Sequence, residues 1–110
     1  MKASGSAWVF LFNQTLTAGF PFIMSNTFWI DVRTTDEFNA GHLEGAAHIP
    51  YEEIASRISE ITTDKNATIH LYCRSGNRSG IAQQVLQSIG FTNAINEGGY
   101  EDLLRKQANQ

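Results

Sequence analysis

The sequence predicts an α/β domain of three layers, a mainly parallel central sheet with helices on both faces. Three observations carry this reading. β-Branched and aromatic runs at 27–32, 68–72 and 92–96 read as strands. Between them lie stretches whose apolar residues recur at helical spacing. Strand and helix alternating in one short chain imply parallel pairing through right-handed crossovers. The chain of 110 residues suits one domain with a single core, read as residues 27–106 followed by a frayed tail at 107–110.

Residues 1–26 stand apart. Lys2 precedes an apolar run, Ala7 to Phe12, which Asn13, Gln14 and Thr15 interrupt before further apolar residues reach Met24. The run is too short and too broken to span a bilayer, so no stable membrane insertion is expected. A basic start with a short apolar stretch is expected to be a secretory signal, with Thr17-Ala18-Gly19 the nearest cleavage site. The other two readings are a hydrophobic arm or extra strand on the domain, and a true start at Met24.

The strand at 27–32 ends in Asp31 and Arg33, on the side where parallel sheets place their sites. Thr34 and Glu37 have the spacing of a capping box, so a short helix is expected with Phe38 as its anchor and Gly41 as its stop. A turn and a short strand follow up to Ile49. Pro50 is expected at the first position of a helix whose stripe is Tyr51, Ile54, Ala55, Ile58 and Ile61. After the strand at 68–72, a helix at 80–89 is expected to bury Ile81, Ala82, Val85, Leu86 and Ile89, with Gly90 as its left-handed cap. Glu97-Gly98-Gly99 reads as a turn before a last helix at 100–106.

The chemistry concentrates in Cys73-Arg74-Ser75-Gly76-Asn77-Arg78-Ser79, between a buried strand and a helix. Free N–H groups and partial positive charge gather at a helix start, and such a turn binds anions. A thiol held there is pushed toward thiolate, to about 3.5–7.5 against about 8.5 for a free thiol. Arg74 and Arg78 are expected to add to that shift. The bland alternative is an inert buried cysteine. Six polar or glycine neighbours argue against it. The thiol is therefore expected at the open mouth of a backbone cradle formed by residues 74–78.

Composition removes other classes. Hydrophobic residues at 42% and charged ones at 17% are those of a folded domain, and a net charge of -3 gives no general attraction to nucleic acid. The single cysteine excludes an internal disulfide, and His42, His48 and His70 have no zinc-site spacing, so neither metal nor cofactor is expected. His42 and His48 read as packing and turn residues, and His70 as a half-buried polar residue within a strand.

Taken together, Asp31-Val32-Arg33, Glu37-Phe38, the run Gly41 to Pro50, Cys73 to Ser79, Gly90-Phe91 and Gly98-Gly99-Tyr100 resemble the single-domain rhodaneses, over most of the chain from Phe28 to Leu104. The compact form looks most like the periplasmic phage-shock type. Longer rhodaneses have a further strand and helix where residues 1–26 stand. The resemblance implies a rhodanese-like domain with thiosulfate sulfurtransferase activity, passing sulfur to cyanide or a thiol through a Cys73 persulfide. It also implies a periplasmic location if residues 1–26 include a signal, and a cytoplasmic one otherwise. With no second cysteine, the acceptor must come from outside, and a monomer is expected. Arg74 is expected to attract the anionic donor. Arg78 is expected to support the loop by pairing with Glu37 or Asp31. Asp31 and Arg33 read equally well as a structural ion pair, and Gly98, Gly99 and Tyr100 as either pocket mouth or turn.

Two rivals remain at this level. Cysteine phosphatases and arsenate reductases need Cys, five residues, then Arg, but Ser79 holds that place and Arg78 comes one residue early. A shorter cradle suits a sulfur atom better than a tetrahedral phosphate. The second rival is a persulfide relay that hands its sulfur to a protein partner.

Overall fold

The computed structural model describes residues 26–109. Strands β1 (Thr27–Asp31), β2 (Ala47–His48), β3 (Thr68–Cys73) and β4 (Ala94–Gly99) alternate with helices α1 (Thr35–Ala40), α2 (Ile54–Arg57), α3 (Asn77–Ser88) and α4 (Tyr100–Ala108). Among the described residues the strands form one sheet in the order β2-β1-β3-β4, and every pairing is parallel. β1 and β3 pair from Thr27 with Thr68 to Asp31 with Tyr72, so their carboxyl ends finish side by side. That edge carries the cysteine loop. The readings of residues 1–26 lie outside the described residues except at Asn26, whose side-chain amide donates to Asp64 at 2.9 Å.

Alternation along the strands divides the core into two layers. On one face Ile30, Ile69, Leu71 and Ala94 pack with Ile54, Ile58, Ala82, Leu86 and Phe91. On the other, Tyr72 packs with Leu43 and Leu103, and Trp29 and Tyr100 lie against them. The predicted three-layer α/β architecture is therefore the one observed.

Several local expectations are corrected. The segment after Pro50 is not one helix: a 3-10 turn at Tyr51–Glu53, the short α2 and a second 3-10 turn at Ile58–Glu60 follow one another. The apolar stripe survives, because Ile54 and Ile58 are buried while Tyr51 and Ile61 pack beside them. Pro50 has extended backbone and precedes the first turn by one residue.

α3 begins at Asn77, three residues ahead of the expected start, and turns Ser79, Ala82 and Leu86 inward. Ile81 is 46% and Ile89 40% exposed, against the expected burial. Ile81 lies about 100° round the helix from Ala82, and Ile89 is already past the helix end. The left-handed cap at Gly90 is present, and Phe91 N–H closes back on Leu86 O at 2.9 Å.

The expected turn at 97–99 is instead the end of β4. Leu71 pairs with Asn96 but Cys73 pairs with Gly99, so β4 carries one extra residue there. This bulge brings two glycines against the cysteine loop.

Candidate active site

Cys73 is the last residue of β3, and Gly76, at φ +99°, is the N-cap of α3. A glycine accepts this left-handed conformation without the Cβ strain of other residues. Gly76 has no side chain with which to cap the helix, and the sulfur occupies that role. Sγ accepts the Gly76 N–H at 3.0 Å and lies 3.4 Å from the Ser79 hydroxyl. Burial pushes the Cys73 thiol up, yet the Ser79 hydroxyl and the N–H groups of Ser79, Ser75 and Gly76 together hold it below its ordinary value.

This corrects two details of the sequence reading. The amides that act on the sulfur belong to residues 75, 76 and 79 rather than to the whole of 74–78. The help expected from arginine comes from Arg78, whose charge and that of the thiolate favour each other. The thiol is also not at an open mouth: Cys73 is 0% exposed and belongs to the core cluster. As the end of a central strand, its side chain points into the layer under α3, and the loop wraps over it. Arg74, Ser75 and Asn77 are the exposed members of that loop.

Arg78 is held away from free solution by α1. Its Nη1 and Nη2 donate to Glu37 Oε1 and Oε2 at 2.8 and 3.1 Å, a two-pronged pair. Glu37 also closes the capping box with Thr34, so one carboxylate fixes both the helix start and the loop. The Arg78 bonds hold the Glu37 carboxyl down at about 2; burial opposes them, and the Thr34 N–H and hydroxyl add to them.

Asp31 and Arg33 form the strand-end ion pair, with Arg33 Nη2 on Asp31 Oδ2 at 2.7 Å and Nε on Oδ1 at 3.0 Å. Arg33 further donates to Gly41 O at 2.6 Å and lies 4.4 Å from the Tyr100 ring centre. Among the described residues its bonds go to the framework and none to the cysteine loop. The loop thus draws Glu37 into the site through Arg78, while Asp31 and Arg33 form a separate buried pair beside it.

The histidines pack as expected. His42 and His48 stack on Phe38, with ring centres 3.6 and 4.6 Å away. His70 stacks on Trp29 and pairs with Glu97 at 2.6 Å.

One contributor escaped the sequence reading. Asn96 Nδ2 donates to Gly76 O at 2.9 Å, while its Oδ1 accepts from Ser79 Oγ at 2.7 Å and from Gly98 N–H at 3.0 Å. An asparagine in a strand, two residues before Gly98, was the available hint, since strands are depleted in it.

Gly99 has a steric role. A Cβ there would stand 2.4 Å from the Arg74 carbonyl oxygen, so backbone would have to move. Gly99→Ala is therefore expected to displace the loop. The expected losses are about 1–3 kcal/mol of stability and about a hundredfold in turnover. Denaturant titration and steady-state kinetics on the same variant check both.

Comparison with known proteins agrees with this geometry. The family model for the rhodanese-like domain matches residues 22–106. Over 75 residues the chain is 40% identical to the thiosulfate sulfurtransferase PspE of Escherichia coli K12, covering 68% of this chain and 72% of that protein. Among solved structures, a rhodanese with anions from E. coli superposes with a TM-score of 0.67 at 39% identity, covering 69% of this chain and 89% of that one. The human single-domain sulfurtransferase TSTD1 superposes with a TM-score of 0.65 at 28% identity, covering 74% and 83%. The chain belongs to the rhodanese-like domain family.

Proposed function

We propose that this protein moves a sulfane sulfur from thiosulfate, or a similar small anion, to cyanide or a thiol acceptor through a persulfide on Cys73. The observation that carries the reading is the sulfur itself, ringed by the Gly76 amide and the Ser79 hydroxyl and held below its ordinary pKa. Because the sulfur is buried, the exposed loop residues over it must move aside for a donor to enter; the Cys73 thiolate then attacks the outer sulfur of thiosulfate. A new S–S bond forms, the S–S bond of the donor breaks, and sulfite leaves with the bonding pair. The negative charge ends on the outer sulfur of the persulfide. An external nucleophile then takes that sulfur and regenerates the thiolate. The two half-reactions share one covalent intermediate, so ping-pong kinetics are expected.

Treating the protein with thiosulfate and weighing it intact tests this. The mass should rise by one sulfur atom and return on adding cyanide. An unchanged mass would sink the reading.

Arg74 is the exposed cation of the loop and the first to meet a dianion. Arg74→Ala is expected to raise the KM for thiosulfate about fivefold with kcat nearly unchanged, the size of one solvent-screened charge and the pattern of lost uniform binding. Initial rates against donor concentration give both constants.

A further inference from the structure

Asn96 touches neither the sulfur nor any group known to carry charge in the reaction, yet its amide joins three parts of the site. We propose that Asn96 is a positioning residue, which competes with the Cys73 sulfur for the single proton of the Ser79 hydroxyl.

Ser79 is fully buried, and a serine hydroxyl has one proton to give. Two acceptors lie within reach: Asn96 Oδ1 at 2.7 Å and Cys73 Sγ at 3.4 Å. The amide cannot turn over to remove the competition. Gly98 N–H points at Oδ1 from 3.0 Å, and Gly76 O requires the NH2 group at 2.9 Å, so the orientation is set from both sides.

The sulfur changes its claim on that proton during the cycle. As a neutral thiol it is a weak acceptor, and the hydroxyl turns to Asn96. As a thiolate it is a charged acceptor and draws the hydroxyl to itself. In the persulfide the charge lies on the outer sulfur, so the hydroxyl returns to Asn96. Only the O–H bond rotates; no proton leaves Ser79. Asn96 thereby favours the thiol and persulfide states over the bare thiolate.

The proposal rests on Cys73 as the nucleophile, but its test does not need sulfur transfer. The chain has one cysteine, so ultraviolet absorbance of the thiolate against pH, with Cys73→Ser as the blank, gives the titration midpoint of this thiol alone. The surrounding charged groups are unchanged in Asn96→Leu and Ser79→Ala, and only Asn96→Asp adds one: they are Arg78 with Glu37 from α3 and α1, Asp31 with Arg33 from the end of β1, Arg74 on the loop, and Glu97 with His70 on β4 and β3.

Asn96→Leu fills the same space without an acceptor. The midpoint should fall by about half a pH unit to one unit, because the thiolate then receives the hydroxyl undivided. A purely structural Asn96 predicts the reverse, since losing its bond to Gly76 O would loosen the amides and raise the midpoint. Asn96→Asp, a stronger acceptor of the same shape, should raise it. In a Ser79→Ala background, Asn96→Leu should no longer lower it. A midpoint that rises or stays put in Asn96→Leu overturns the proposal, as does a fall that persists without the Ser79 hydroxyl. If Asn96→Leu does not fold, Asn96→Asp decides. Its rise should shrink by at least half when Ser79 is alanine, and an undiminished rise would show plain charge repulsion instead.

Discussion

Cys73→Ser is expected to leave a folded protein that transfers no sulfur. The sulfur is the only thiol in the chain, and the proposed covalent step has no second nucleophile to fall back on. A serine hydroxyl is a far weaker nucleophile at neutral pH, and among the described residues its hydrogen-bond neighbours are N–H donors and another hydroxyl, none of them a general base. Stability should barely change. Serine is nearly isosteric, and its oxygen can accept the Gly76 N–H that the sulfur accepts now. Thermal unfolding within a few degrees of the parent, with turnover at the background rate, is the expected pair of results. Residual turnover would remove Cys73 from the mechanism.

Arg33→Ala is expected to do the opposite, damaging the fold and sparing the chemistry. The side chains of Asp31 and Arg33 are 0% and 7% exposed, so removing the guanidinium strands a buried carboxylate. Breaking such a pair from one side costs about 3–5 kcal/mol. The Gly41 carbonyl loses its donor and the Tyr100 ring loses its stacked cation at the same time. For a domain of this size the midpoint of thermal unfolding should drop by more than about 10 °C. No bond from Arg33 reaches the cysteine loop, so the protein that remains folded at low temperature should keep its turnover number. A variant of unchanged stability that lost activity would instead place Arg33 in catalysis.

These two residues show what could be read from the chain. The Cys73 loop is legible because its chemistry is local. Strand, polar loop and helix are consecutive, so the thiol and the amides that cradle it lie within seven residues. The capping box of Thr34 and Glu37 is local for the same reason. Even the Arg78–Glu37 pair was within reach, because few acids lie at the correct end of a parallel sheet. The apolar stripe around Ile54 and Ile58 was readable too, although the backbone beneath it changes helix type twice.

The contacts of Asn96 and Gly99 were not legible. Their roles depend on a bulge in β4 that shifts its pairing with β3 between Leu71 and Cys73, and no local pattern announces such a shift. Glycines at 98 and 99 read as a turn or a pocket mouth, because the same residue type serves turns, bulges and close backbone contact. The depth of the thiol was equally hidden. Seven polar or small residues suggest an exposed loop, but only the packing of α3 on the sheet places the sulfur at its floor.

The sequence by itself determined the fold class and the placement of the lone cysteine in a polar turn between a buried strand and a helix, because hydrophobic period and helix-start chemistry act over a few neighbouring residues. The tertiary structure alone decided how deeply the sulfur lies, which amides face it and which distant side chain shares its hydroxyl. Those depend on the register between strands and on how closely backbones approach, and both are settled only when the layers pack.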